Sequence, residues 1–199
     1  MGQYYHPVLS KDGKTNFKAY RASSRGGLKL MEHSWWDAGL PNAVAEELYE
    51  NPQYLWWMGD YAVDKYRGAD GHYYPYPETD PILLAAYNAA HGDCAEPEVI
   101  TSPDKFKLNA TILCNHTRRI YMNCDKYHAA LEDLDEDGWV VHPLPLLTAV
   151  GNGKGGGDYF SEDDLESVGS WAGDLISVEN ENEVPEGYAE VEYHFNEKW

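Results

Sequence analysis

The stretch QYLWWMGDY, residues 53–61, decides the fold that we expect for this chain. It is a short, dense apolar run that stops at a glycine, and its length is typical of a strand. Just before it, PNAVAEELYE at 41–50 has apolar residues at i, i+4 spacing and a proline suited to the first helical turn, which predicts a helix. A second helix is predicted from Asp80-Pro81 to about His91, with the aspartate as its cap.

Further strands are predicted on both sides of this segment. Residues 3–9 and 15–20 form one predicted hairpin, joined at an Asp-Gly pair, and 108–122 forms another that turns at NHTR. HPLPLLTAV at 142–150 is predicted as an edge strand because proline stands at its entry. YAEVEYHF at 188–195 alternates apolar and polar residues, which also predicts a strand.

The remaining segments are less regular. RGADGHYYPYPE at 67–78 is predicted as a loop, residues 125–132 as a short helix, and 161–164 as a capping box that opens a short acidic helix. Strands adjoin strands, and the helices are few and short. We therefore expect a single α+β domain over residues 1–199, built around a largely antiparallel, mixed sheet.

The charge is strongly negative and unevenly distributed. The net charge is −19, and residues 132–199 hold 18 acidic residues against two lysines. This acidic C-terminal third excludes direct binding to nucleic acid or to an anionic membrane, because both need clustered lysine and arginine. It is consistent with a surface that mimics nucleic acid towards a basic protein partner, with a cation-binding face, or with a solvated surface that aids solubility.

The start of the chain and its cysteines bear on location. MGQYYHPVL lacks the basic and apolar regions of a signal peptide, and no apolar run reaches the length of a membrane span. Three cysteines in a chain without a secretory signal are typical of reduced thiols. We expect a soluble, cytoplasmic protein.

LLTAVGNGKGGGDYF at 146–160 has five glycines within seven residues. The glycine spacing formally matches a dinucleotide-binding fingerprint, but no helix is predicted directly after it. The P-loop pattern fails as well, because Lys154 is not followed by the serine or threonine that a P-loop requires. Consecutive glycines can still present backbone N–H groups as a nest for an anion, with Lys154 adding a positive charge. A plain mobile loop is the alternative.

A zinc site is a weaker candidate. Cys114, His116, Cys124 and His128 offer four ligands within fifteen residues, but their spacing departs from that of structural zinc sites. If the hairpin turns at NHTR, Cys114 lies opposite about Tyr121, and Cys124 lies beyond the pair. We therefore predict no metal and no cofactor, and we interpret the thiols as buried packing residues.

A catalytic triad is equally weak. Ser34, His33 and Asp60 could be combined on paper, but the chain has no G-x-S-x-G elbow, and an adjacent serine and histidine rarely act as nucleophile and base. Asp60 directly follows an apolar strand, so its carboxylate must find a partner or emerge into a cleft. We assign no catalytic residues.

Adjacent aromatic pairs suggest where a ligand could bind. In a strand, each pair sends one ring to either face, so one ring can fill the core while the other lines a pocket. We predict a pocket in which rings stack on a base, the glycine loop and its lysine hold phosphate, and a carboxylate accepts from a ribose or amine. The residues predicted to form it are Trp35, Trp57, Asp60, Gly151, Asn152, Gly153, Lys154, Gly155, Gly156 and Asp158.

Several phrases extend this reading: MGQYY, GLKLMEHS, WMGDYA, NHTRRIYM, HPLPLLTAVGNGKGGGDY and VGSWAGDLISVE. Together they resemble a family of small proteins in bacterial and phage or prophage genomes. The resemblance carries over no catalytic residues. It implies a phage setting, in which small proteins counter host defence, some by sequestering nucleotide-like immune signals.

The function that we expect is binding or sequestration of a nucleotide-like, phosphorylated small ligand, rather than catalysis. Two alternatives stay open. One is an acidic inhibitor that binds a basic protein by mimicking nucleic acid. The other is a metal-assisted hydrolase that uses aspartate and histidine.

Overall fold

Strand β3 (Gln53–Gly59) lies inside the main sheet of the computed structural model, which describes residues 2–22, 27–95, 111–132, 140–161 and 165–195. The other strands are β1 (Tyr5–Ser10), β2 (Lys18–Ala19), β4 (Lys65–Arg67), β5 (Tyr73–Pro75), β6 (Thr111–Asn115), β7 (Ile120–Asn123), β8 (Ala149–Val150), β9 (Leu175–Asn180) and β10 (Ala189–Glu190). The helices are α1 (Leu30–His33), α2 (Gly39–Glu47), α3 (Pro81–Ala90), α4 (Cys124–Glu132) and α5 (Pro143–Leu147).

The main sheet has eight strands in the order β10-β7-β6-β9-β3-β1-β2, and β8 also pairs with β3. Most pairs are antiparallel, as between β1 and β3, where Tyr5 lies opposite Gly59 and Ser10 opposite Tyr54. The exceptions are β8 on β3 and β10 on β7, which run parallel. Strands β4 and β5 form a separate hairpin. The expected single α+β domain with a largely antiparallel, mixed sheet is confirmed.

Helices cover both faces of this sheet because β3 is apolar on both. Leu55 and Trp57 point into a core that includes buried residues of α1, α2, α4 and α5. Trp56 and Met58 point the other way, into a smaller core with α3. A strand that is buried on both faces has apolar residues at nearly every position, which explains why QYLWWMG is almost entirely apolar.

Several sequence predictions are confirmed and two are wrong. The two hairpins, the helix capped by Asp80 and the helix after β7 are present. The segment 142–150 is not one strand, because His142 caps a buried helix, α5, by accepting the N–H of Leu144 through its Nδ1 atom, and only Ala149–Val150 is extended. The segment predicted as a loop at 67–78 contains part of the β4–β5 hairpin.

The two remaining predictions concern the C-terminal third. Most of the capping box at 161–164 lies outside the described residues, and a 3₁₀ turn follows at Leu165–Ser167. Within 188–195 only Ala189–Glu190 pairs as a strand, although Phe195 is buried and Glu192 is exposed, as the alternation predicts. No helix among the described residues is long and apolar enough to cross a membrane.

Candidate functional site

The glycine loop closes around a carboxylate of its own chain. Asp158 is 2% exposed, and its Oδ2 atom accepts hydrogen bonds from the backbone N–H groups of Gly153 (2.7 Å), Lys154 (3.1 Å) and Gly155 (3.1 Å). Its Oδ1 atom accepts the hydroxyl of buried Tyr5 at 2.9 Å. Burial, followed by the charge of Asp158, raises the pKa of Tyr5 far above its usual value, so the phenol stays a donor. The loop is therefore an anion nest, and its anion is Asp158.

The ends of the loop are fastened to neighbouring segments. Asn152 exchanges two hydrogen bonds with the backbone of Tyr159, which closes the loop on itself. Gln3 donates its N–H to the carbonyl of Gly156 at 3.0 Å. A Cβ atom on Gly155 would lie 2.8 Å from the backbone nitrogen of Gln3, so only glycine permits this approach. The N-terminal segment and the loop thus pack backbone to backbone.

These contacts bear on the predicted phosphate site. The N–H groups of Gly153, Lys154 and Gly155 already donate to a charged acceptor within the chain, and Asp158 accepts from the loop rather than projecting from it. A phosphate would have to displace this carboxylate. A ligand-binding role for the loop stays a prediction that no contact among the described residues tests.

The tryptophans predicted for the pocket lie on the core side. Trp57 is fully buried, and its indole N–H donates to Nε2 of buried His33 at 2.7 Å. Burial lowers the pKa of His33 to about 4, which keeps the ring neutral and able to accept this bond. Trp35 is partly buried and forms an isolated bridge with Val141. In this structure these two rings pack within the domain.

Asp60 lies at the same end of the sheet as the glycine loop and its lysine, Lys154. The Oδ1 atom of Asp60 accepts the N–H of Tyr4 at 3.1 Å, and the N–H of Asp60 donates to the carbonyl of Tyr4. The Nζ atom of Lys154 is 3.4 Å from Oδ1 of exposed Asp64. From the sequence, Asp60 had to find a partner or emerge into a cleft, and its partner is the backbone of Tyr4. The structure brings together the loop, Asp60 and the N-terminal segment.

The residues of the zinc candidate make contacts within the fold. Cys114 pairs with Tyr121 across β6 and β7, as the hairpin predicted, and Cys114 and Cys124 are fully buried. The Nδ1 atom of His116 and the hydroxyl of Tyr188 share a hydrogen bond at 2.8 Å. Among the residues that the structure describes, no group of three or more His, Cys, Asp or Glu side chains could hold a metal ion.

The proposed triad has a similar outcome. Ser34 donates its hydroxyl to the carbonyl of Leu30 at 2.7 Å, whereas Nε2 of His33 accepts from Trp57. Each of these two buried polar side chains thus has a hydrogen-bond partner inside the domain, as buried polar groups generally do.

The most distinctive surface feature is the β4–β5 hairpin, which we call the tyrosine hairpin (residues 65–76). Tyr66 lies opposite Tyr74 in its register, and Tyr76 follows two residues later on the same face. The ring centroid of Tyr66 is 6.0 Å from that of Tyr74 and 5.5 Å from that of Tyr76. Tyr73 points to the opposite face, since side chains alternate along a strand. Each face of the hairpin thus presents tyrosine.

These rings are exposed rather than packed. Tyr66, Tyr74 and Tyr76 are each 40–42% exposed, and Tyr73 is 67% exposed. Large apolar side chains grouped on one element mark an interaction site more often than rings scattered singly. Tyrosine suits such a role because it offers a large contact area and a polar hydroxyl at a low cost in conformational entropy.

The turn of the hairpin is held in a defined shape. Asp70 accepts the hydroxyl of Tyr74 at 2.5 Å and the N–H of His72 at 3.1 Å. The bond from Tyr74, and to a smaller extent that from His72, lowers the pKa of Asp70. The bond between Tyr74 and Asp70 also raises the pKa of Tyr74. Gly71 has φ +85°, the left-handed conformation that the turn requires. The tyrosine rings are therefore presented on an ordered turn.

The base of the hairpin adjoins the loop end of the sheet. The Nζ atom of Lys65 lies 2.5 Å from the hydroxyl of Tyr87 on α3, and that hydroxyl donates to the carbonyl of Asp60 at 3.1 Å. The pair of Lys154 and Asp64 joins the glycine loop to the residue just before β4. These contacts join the tyrosine hairpin, Asp60 and the glycine loop, which we take together as the candidate site.

The sequence contained a signal for this hairpin. Asp70-Gly71 is the same dipeptide that marks the β1–β2 turn, and it is flanked by residues rich in tyrosine. The prolines and glycines around it favoured a loop instead. No family model, curated protein or solved structure shows significant similarity to this chain, so the candidate site rests on its own geometry.

Proposed function

We propose that this is a binding protein that uses the tyrosine hairpin to bind a protein partner with a basic surface. The observation that carries the proposal is the exposure of four tyrosines on one hairpin that is separate from the main sheet. Isolated two-stranded hairpins are marginally stable, so a hairpin that leaves its large side chains uncovered gains most from a partner that buries them.

A protein surface fits this hairpin better than a small molecule does. The rings stand on both faces of a two-stranded hairpin that is separate from the main sheet. Small ligands bind in clefts that enclose most of their surface, whereas tyrosine and arginine are enriched at the centres of protein interfaces. Arg67 on β4 adds an arginine to the same element.

The charge of the site favours a basic partner. Residues 60–80 hold five acidic side chains and two basic ones, and the whole chain has a net charge of −19. Lysine and arginine of a partner would pair with exposed carboxylates such as Asp64 and could lie over the tyrosine rings, whose faces attract cations. Such an interface would associate quickly at low ionic strength and more slowly as salt screens the charges.

The experiment compares three tagged proteins in lysates of the source cells: the wild type, a Tyr73→Ser/Tyr76→Ser double variant and Phe160→Ser. Phe160 is 58% exposed and lies outside the hairpin, so its variant controls for the loss of an exposed ring. Each enriched protein is identified, purified and titrated against all three by calorimetry at two salt concentrations.

We expect one purified basic protein to bind the wild type and the Phe160→Ser variant equally, and the double variant at least about tenfold more weakly, as for two central interface residues. Its affinity should fall as salt rises. The proposal is overturned if every purified candidate binds the double variant as tightly as the wild type, or if affinity does not depend on salt.

A nucleotide-like, phosphorylated ligand is our second proposal. It is favoured by two lysines, Lys65 at the start of the hairpin and Lys154 of the glycine loop, which lie near rings able to stack on a base. In the phage setting that the resemblance implies, such binding would sequester an immune signal. Native mass spectrometry of freshly purified protein tests it: a retained mass of a few hundred daltons that is lost on Lys154→Ala supports it, and a bare polypeptide mass contradicts it.

A further inference from the structure

An open groove lies at the opposite edge of the main sheet from β2. It has a volume of about 110 Å³ and lies between α4 and the chain segment 190–194. Met122, Tyr127, Ala130, Val191 and Tyr193 supply its apolar lining. Polar residues, among them Lys126, Glu190 and Glu192, border it.

The strand beside the groove has an outward-facing backbone. Ala189 donates its N–H to Arg119, and Val191 donates its N–H to Tyr121. Since N–H groups alternate in direction along a strand, that of Glu190 points away from β7. Among the described residues β10 pairs only with β7, and both of its residues are exposed. The edge can therefore accept another strand.

The charge beside this edge is negative. Lys126 Nζ donates to Glu190 at 2.6 Å, and the hydroxyl of Tyr121 donates to Glu190 at 3.3 Å. The bond to Glu190 raises the pKa of Lys126, and the negative charge of exposed Glu192 raises it further. Two carboxylates thus face one lysine. A ligand that carries positive charge complements this rim.

We propose that the segment 189–193 binds an extended basic peptide by strand addition, with one large apolar side chain of the peptide in the groove. Main-chain hydrogen bonds to an edge strand give affinity in this mode of recognition, and a pocket for alternate side chains gives specificity. Lysine or arginine next to the apolar residue would face Glu190 and Glu192. The inference does not rest on the tyrosine hairpin, which is a separate sheet.

The probe is a terminally blocked hexapeptide that alternates lysine with valine and has phenylalanine at its fourth position. A control peptide has glutamate in place of lysine. Binding to the full chain is followed by backbone amide NMR. We expect the lysine peptide to bind with a Kd below about 1 mM and to shift the amides of 189–193 and α4, and we expect the glutamate peptide not to bind.

Two pairs of variants test the geometry. Glu190→Ala and Glu190→Pro both remove the carboxylate, but only proline removes the outward N–H, and an edge strand tolerates proline there. We expect Glu190→Pro to bind at least about fivefold more weakly than Glu190→Ala. Ala130→Phe should block the groove, whereas Ala129→Phe, at the exposed neighbouring position, should bind normally.

Three results would overturn the proposal. One is a lysine peptide that does not bind the wild type. Another is equal binding by the Glu190→Pro and Glu190→Ala variants, since strand addition needs the backbone donor. The third is a concentration-dependent shift of the same amides without peptide, because the occupant would then be a second copy of this chain.

Discussion

Replacing Asp158 with alanine tests the conclusion that the glycine loop is filled from within. The change removes the acceptor of three loop N–H groups and of the Tyr5 hydroxyl. It leaves the backbone and the positive-φ glycines of the loop intact. Its effect on stability therefore measures the anion and not the loop itself.

The size of the effect follows from which donors can reach water. Gly153 and Lys154 are exposed, so their N–H groups recover most of their hydrogen bonding from solvent. The hydroxyl of Tyr5 is buried and stays unsatisfied. We therefore expect Asp158→Ala to lower the free energy of unfolding by about 3 kcal/mol, the loss of one or two hydrogen bonds to a charged group. Asp158→Asn keeps the shape and one acceptor, and should cost about 1 kcal/mol.

The assay is urea unfolding at pH 7, with amide hydrogen exchange at residues 153–155 as a local measurement. In the alanine variant these three amides should lose protection, and tens of millimolar phosphate should raise the unfolding midpoint of that variant more than that of the wild type, because the nest is then empty. The reasoning is refuted if the alanine variant is within about 0.5 kcal/mol of the wild type, or if phosphate stabilises both proteins equally.

Three further predictions concern stability. Burial lowers the pKa of His33 to about 4 and of His142 to about 3, so below pH 6.5 the unfolded chain binds protons that the folded chain does not. For each ring, the free energy of unfolding should therefore fall by about 1 kcal/mol between pH 6.5 and 5.5. Urea unfolding at these two pH values would show a much smaller loss if the two rings were solvated. Gly155→Ala should lower the free energy of unfolding by more than about 2 kcal/mol, because its Cβ meets the N-terminal backbone. Gly153→Ala, at φ +86° in open space, should lower it by about 1 kcal/mol. Equal losses for the two variants in thermal unfolding would contradict this. Tyr73→Ser should change the free energy of unfolding, measured by thermal unfolding, by about 0.5 kcal/mol or less, and a larger loss would mean that the ring packs within the domain.

Much of the fold could be predicted because local signals and the final packing agree. The Asp-Gly turn, the cap at Asp80 and the apolar run of β3 each specify one element without reference to the rest of the chain. The helix α5 could not be predicted in this way. A short apolar run such as PLPLL fits a buried strand or a buried helix equally well, and only the cap from His142 and its position under the sheet decide the outcome.

The candidate site was predicted only in part. The sequence indicated that Asp60 needs a partner and that the glycine loop could present N–H groups to an anion, with a mobile loop as the alternative. It could not show that Asp158 turns back into the loop, because this depends on Tyr5, which is 153 residues away. Nor could the aromatic pairs show which ring faces outward. Trp57 lies in the core, whereas the exposed rings belong to a hairpin whose prolines had predicted a loop.

Site-specific photo-crosslinking in the source cells tests the central claim most directly. A photoreactive phenylalanine analogue is placed at position 73, on the tyrosine hairpin, or at position 160, an exposed ring outside it. The account predicts that one basic protein crosslinks from position 73 and not from position 160. It is contradicted if the same proteins crosslink from both positions, or if position 73 gives no protein crosslink at all.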